Sequence, residues 1–145
     1  MFEGEILLVE DNAADVAMTL RSLQKHHFAN KVTVVRDGAE ALDYIFREGK
    51  YKGQPTTVAL SLILLDLKLP KVNGLEVLKH LKSNETTRTI PVVILTSSKE
   101  EPDIREAYRL GANSYIVKPV EFDQFIEAVS NIGLYWLILN EPPVQ

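Results

Sequence analysis

Five short apolar runs, each followed by a segment of helical period, constrain this chain more than any other feature of its sequence. The runs are Ile6-Leu7-Leu8-Val9, Val32-Thr33-Val34-Val35, Leu62-Ile63-Leu64-Leu65, Val92-Val93-Ile94-Leu95 and Tyr115-Ile116-Val117. None is long enough for a helix. Their nearly unbroken apolarity suits strands covered on both faces, as in a parallel sheet between helical layers. The segments between them carry apolar residues three and four apart. Ala13 to His27 aligns Val16, Leu20 and Leu23, with Asn12 placed to cap it and Asp15 near the positive end of its dipole. Ala39 to Arg47, Leu75 to Leu81 and Pro102 to Leu110 repeat the pattern, and Gly111 is a stop signal for the last of these. A fifth helix is expected from about Phe122 to Leu139. Alternation of this kind predicts an α/β fold, a doubly wound five-stranded parallel sheet with right-handed crossovers. Gly49 to Thr57, with Gly53 and Pro55, reads as a long surface loop.

The 145 residues fit one domain, 1–145, and the absence of cysteine rules out disulfides and thiolate metal sites. Folding by burial alone suits a reducing cytoplasm. The formal net charge is −4 and the basic residues are scattered, so the concentrated basic face that nucleic acid requires is not expected. The start of the chain lacks a secretory pattern, and no apolar stretch approaches the roughly 20 residues of a membrane span.

In a doubly wound sheet the parallel strands end at one edge, and ligands sit there beside the topological switch point. The first run gives way to Glu10 and Asp11, the third to Asp66, the fourth to Thr96 and the fifth to Lys118. Singly, each has an ordinary explanation as a turn, cap or surface residue. Together they would bring carboxylates, a hydroxyl and an ammonium into one crevice. Crowded carboxylates repel unless a counter-ion relieves them. Mg²⁺ suits such a set, because it takes one or two carboxylates together with waters and phosphoryl oxygens. Zinc does not suit it, since His26, His27 and His80 fall in or near helices, away from the strand ends. With the cation present, Asp66 is an ionised nucleophile able to form an aspartyl phosphate. Lys118 would spread the phosphoryl charge, and Thr96 would hydrogen-bond one of its oxygens.

Leu8-Val9-Glu10-Asp11-Asn12, Leu65-Asp66-Leu67-Lys68-Leu69-Pro70 through Asn73-Gly74, and Leu110-Gly111-Ala112-Asn113-Ser114-Tyr115-Ile116-Val117-Lys118-Pro119 resemble the receiver domains of two-component response regulators. The likeness runs from about Ile6 to Val129 and implies the flavodoxin-like (βα)5 receiver fold. It implies that a sensor histidine kinase donates phosphoryl to Asp66. It further implies that Asp11, Asp66 and the backbone carbonyl of Lys68 ligate Mg²⁺, with Glu10 acting partly through water. A cis peptide at Lys118-Pro119 is implied too, as is coupled movement of Thr96 and Tyr115. Glu10 stands where the family more often has aspartate. Lys68 and Ser97 flank the site, and Lys68→Ala is expected to change the lifetime of the phosphorylated state.

The final helix needs one apolar face for its own sheet, and Phe122, Phe125, Ile126, Val129, Gly133, Trp136 and Leu137 supply it. Beyond Asn131, Leu134, Tyr135, Ile138 and Leu139 point elsewhere around the helix, and a helix apolar on all sides must be covered on all sides. Residues 131–145 therefore read as an extension of this helix that forms a homodimer interface or folds back on its own domain. The segment from Leu134 to Pro143 resembles the ending of stand-alone, phytochrome-associated response regulators, as does the Gly49 to Thr57 loop. A phytochrome-type photoreceptor kinase is one partner this implies. An aspartyl-nucleophile phosphatase is the competing class, but it expects aspartate where Lys68 stands. No GxxxxGK or GxGxxG run supports nucleotide binding. With no output domain expected, the readout is a surface change that reaches a target, a relay or a phosphoryl sink.

Overall fold

The computed structural model of the protein describes residues 4–25, 31–54, 60–119 and 121–131. Five strands alternate with five helices: β1 (Glu5–Val9), α1 (Ala13–Lys25), β2 (Lys31–Val35), α2 (Gly38–Phe46), β3 (Leu60–Leu65), α3 (Gly74–Ser83), β4 (Val92–Thr96), α4 (Glu101–Arg109), β5 (Ser114–Val117) and α5 (Phe122–Asn131). All pairings are parallel, in the order β2-β1-β3-β4-β5. The chain moves outward from β1 to β2, then crosses back to β3 on the other side. The switch point therefore lies between β1 and β3.

Alternate residues of each strand feed opposite faces, so one apolar run builds two cores. Leu7, Val9, Ile63, Leu65 and Ile94 meet Ala41 and Tyr44 of α2, Val77, Leu78 and Leu81 of α3, and Ala107 of α4. Ile6, Leu8, Leu62, Leu64 and Val93 meet Val16 and Leu23 of α1 and Phe125 and Ala128 of α5. Leu62 to Leu65 are fully buried. Each such side chain contributes about 1.5–3 kcal/mol relative to exposure.

The first four expected helices are present within one or two residues, the fifth starts at Phe122 as expected and is described to Asn131, and caps set the starts of three of them. Asn12 Oδ1 accepts from the Asp15 N–H at 2.9 Å, Asp37 Oδ1 from Glu40 at 2.7 Å, and Asn73 Oδ1 from Glu76 at 3.0 Å. Pro102 lies in the first turn of α4, and Gly111 has φ +111° beyond its end. The segment expected as a surface loop after α2 is largely exposed over its described residues, but its start is ordered. Gly49–Tyr51 forms a 3₁₀ turn anchored on α2: the Tyr51 hydroxyl donates to Glu40 Oε2 at 2.8 Å, and Lys50 lies 3.1 Å from the same oxygen. The Tyr51 ring also meets Tyr44 edge-on, at 5.0 Å between centroids. Turn-forming composition hid these contacts, because both partners lie on the preceding helix. Residues 55–57 of that loop lie outside the described residues. So do 132–145, including Leu134, Tyr135, Ile138 and Leu139, and the side chains of Phe122, Ile126 and Val129.

Candidate phosphoacceptor site

The strand-end residues meet at the carboxyl edge because the sheet's hydrogen bonding runs on into them. Glu10 N–H donates to Val35 O at 3.0 Å, Asp66 N–H to Val9 O at 3.1 Å, and Lys118 N–H to Thr96 O at 2.8 Å. The loop after β3 is fixed from beneath. A Cβ on Gly74 would stand 2.2 Å from the Asp66 carbonyl oxygen, and one on Gly38 would stand 1.7 Å from that of Val72. Only glycine permits these approaches. Lys118-Pro119 is cis, as the resemblance implied.

Glu10, Asp66 and Thr96 are buried, whereas Asp11 is exposed. Carboxylate oxygens of Glu10, Asp11 and Asp66 all lie within 4.8 Å of one another. This hard, all-oxygen, acidic set fits a divalent cation of the Mg²⁺ class. The Lys68 N–H donates to Asp66 Oδ1 at 3.2 Å, so its backbone borders the same cluster. The Lys118 ammonium donates to Asp66 Oδ2 at 3.1 Å, to Asp15 Oδ2 at 2.9 Å and to Glu10 Oε1.

Burial pushes the Glu10 carboxyl up to about 7; the Asp66 charge adds to this, while Lys118 and the Asn12 N–H oppose it. Burial alone would lower the Lys118 pKa, but its bonds to Glu10 and Asp15 and the Asp66 charge hold it above the ordinary lysine value. Three carboxylates, Glu10, Asp15 and Asp66, therefore share one ammonium, and Asp11 adds a fourth acidic group beside them. Such an excess of negative charge favours a cation.

Thr96 and Tyr115 lie on either side of one loop. Thr96 Oγ1 accepts from the Ser98 N–H at 3.4 Å, and the Tyr115 hydroxyl donates to the Ser98 carbonyl at 3.0 Å. Ser98 Oγ in turn donates to Asp103 Oδ2 of α4 at 2.5 Å. Ser98 and Asp103 were not foreseen, nor was Asp15 as a member of the site. Asp15 lies in the first turn of α1, just past the Asn12 cap, and reaches Lys118 from there. His80 is distant in kind: it is exposed and lies 3.7 Å from Glu76 on α3.

The model of the response regulator receiver domain family matches residues 6–130, and the chain belongs to that family. It is a response regulator, a signalling phosphoacceptor rather than a turnover enzyme. Among curated relatives, the probable methanogenesis regulatory protein FilR2 of Methanothrix harundinacea is 42% identical over 95% of this chain and 86% of its own length. Response regulator Rcp1 of Synechocystis is 37% identical over 91% of this chain and 88% of its own. Among solved structures, the bacteriophytochrome response regulator RtBRR has a TM-score of 0.84 at 53% identity, covering 98% of this chain and 85% of its own. The phosphorylated cyanobacterial phytochrome response regulator RcpA has a TM-score of 0.77 at 41% identity, covering 94% and 95%. The Mn²⁺-bound form of Rcp1 has a TM-score of 0.77 at 35% identity, covering 97% and 99%.

Proposed function

We propose that Asp66 takes a phosphoryl group from the histidine of a sensor kinase, with Mg²⁺ bound by Glu10, Asp11, Asp66 and the Lys68 carbonyl. The observation that carries this reading is the single crevice at the switch point, where Asp66 Oδ2 lies 3.1 Å from the Lys118 ammonium beside two further carboxylates. The Mn²⁺-bound and phosphorylated relatives support it. An Asp66 oxygen bonds to phosphorus in line with the breaking P–N bond, whose electron pair stays on the donor imidazole. The cation supplies charge neutralisation, and Lys118 donates to a phosphoryl oxygen. Thr96 gives up the Ser98 N–H and donates its hydroxyl to another phosphoryl oxygen. The loop shift that follows reaches Tyr115 through the Ser98 carbonyl, and the surface changes its preference for partners.

The full chain incubated with acetyl phosphate and Mg²⁺ gains the mass of one phosphoryl group, whereas Asp66→Ala gains none. Labelling of Asp66→Ala at the normal rate would falsify the assignment.

The donor we infer is a phytochrome-type histidine kinase, working with the protein in the cytoplasm. The names of the RtBRR, RcpA and Rcp1 relatives support this donor. The location is supported by the family and by the described residues, none of whose helices is long and apolar enough to cross a membrane. FilR2 carries a different regulatory name, so transfer from a purified phytochrome kinase is the measurement that decides. A homodimer built on residues 131–145 is the remaining part of the proposal. It predicts that Ile138→Lys shifts the protein to monomer on a sizing column, and an unchanged elution removes it.

A further inference from the structure

An ammonium has three protons, and Lys118 directs them at Glu10, Asp15 and Asp66. None remains for a phosphoryl oxygen unless a resident is released. Glu10 and Asp66 belong to the acidic triad within reach of one cation, and Asp15 does not. Once Glu10 and Asp66 turn to a bound cation, Asp15 is the carboxylate with no other duty. Its backbone is fixed as well, because its own N–H donates to the Asn12 cap at 2.9 Å.

We propose that Asp15 is a positioning residue of the phosphoacceptor site, holding the Lys118 ammonium over Asp66 from the first turn of α1 while the other two protons pass to the incoming phosphoryl. The proposal rests on the reading of Asp66 as phosphoacceptor. A charge-assisted bond that restricts a long lysine side chain is more than a helix-dipole contact. The side chain of Asp15 is 34% exposed, which leaves room for substitution without loss of the core.

The test labels the full chain, Asp15→Ala and Asp15→Asn with phosphoramidate at saturating Mg²⁺ across a range of donor concentrations. In parallel, the Lys118 side-chain ammonium is followed by proton–nitrogen correlation spectra with and without Mg²⁺. In Asp15→Ala the maximal labelling rate falls about tenfold with half-saturation unchanged, the size expected for losing one charge-assisted hydrogen bond. The ammonium signal survives in the metal-free variant, held by Glu10 and Asp66, and is lost to solvent exchange when Mg²⁺ is added. Asp15→Asn keeps an oxygen acceptor and recovers the rate to within about threefold of the parent, together with the signal.

A purely structural role for Asp15 would give no such dependence on metal. An unchanged rate with a retained signal overturns the proposal. A faster rate overturns it too, since Asp15 would then be a competitor for Lys118. If Asp15→Ala does not fold, Asp15→Ser, too short to reach Lys118, carries the same expectations. Failure of the parent protein to label at all would instead sink the phosphoacceptor reading.

Discussion

Two buried glutamates mark the two ends of the same neighbourhood in the sheet, and they are satisfied in opposite ways. Glu5 opens β1 and is 1% exposed; it accepts hydrogen bonds from the Thr33 and Tyr44 hydroxyls. Glu10 follows the other end of β1 and is 3% exposed; it shares the Lys118 ammonium with Asp15 and Asp66. Burial of a carboxylate therefore does not by itself mark a functional group. The distinction lies in what surrounds it. Neutral hydroxyl donors dedicated to Glu5 make a closed structural arrangement, whereas carboxylates in excess of cations leave the Glu10 end able to take up positive charge and phosphoryl.

The largest expected effect is at the shared ammonium. Lys118→Met should slow labelling by acetyl phosphate about 10²-fold, as for loss of one preorganised electrostatic donor. It should at the same time tighten divalent-cation binding, because a competing positive charge has gone. Titration calorimetry with Mg²⁺ reads the second effect, and weaker binding would contradict the picture of an over-subscribed lysine.

Glu5→Ala should destabilise the fold by about 1–3 kcal/mol by leaving the Thr33 and Tyr44 hydroxyls without their acceptor. Urea unfolding measures this, and labelling should stay at the parent rate. A labelling defect would erase the contrast between the two ends.

The smallest effect is a pH dependence. With its carboxyl raised to about 7, Glu10 holds a proton in the folded metal-free protein that the unfolded chain loses near the ordinary value of 4.5. Its contribution to stability is complete below about 4.5 and is lost as pH rises through about 7. Thermal unfolding in a chelator should therefore show a downward slope across that window that is flatter in Glu10→Gln. Equal slopes in the two proteins would show that Glu10 is already ionised.

Much of this was legible because a parallel sheet covered on both faces writes itself as uninterrupted apolar runs, and polarity resumes where the strands leave the core. That is why Glu10, Asp66, Thr96 and Lys118 could be placed from their positions after four runs. Glu5 was missed because its partners lie 28 and 39 residues away, and the first strand was expected to open at Ile6. In the sequence Asp15 shows only as a favourable charge on the helix dipole, since its partner Lys118 lies 103 residues on. Local pattern reports which face of an element is buried. It does not report which distant side chain arrives there. The 3₁₀ turn at Gly49–Tyr51 was missed for another reason: its Gly and Lys residues carry the composition of a loop, and the anchoring Tyr51–Glu40 bond depends on how the turn folds back on α2.

The glycines under the loop after β3 give distant positions a say in the chemistry. Gly38 begins a helix that contributes no group to the crevice, yet its missing side chain leaves the space that the Val72 carbonyl fills. Bulk added there would push on the Val72 carbonyl, in the loop that joins Asp66 to Gly74. The path of that loop is thus shaped partly by a residue that neither binds nor reacts, and a catalogue of contacting side chains alone would overlook it.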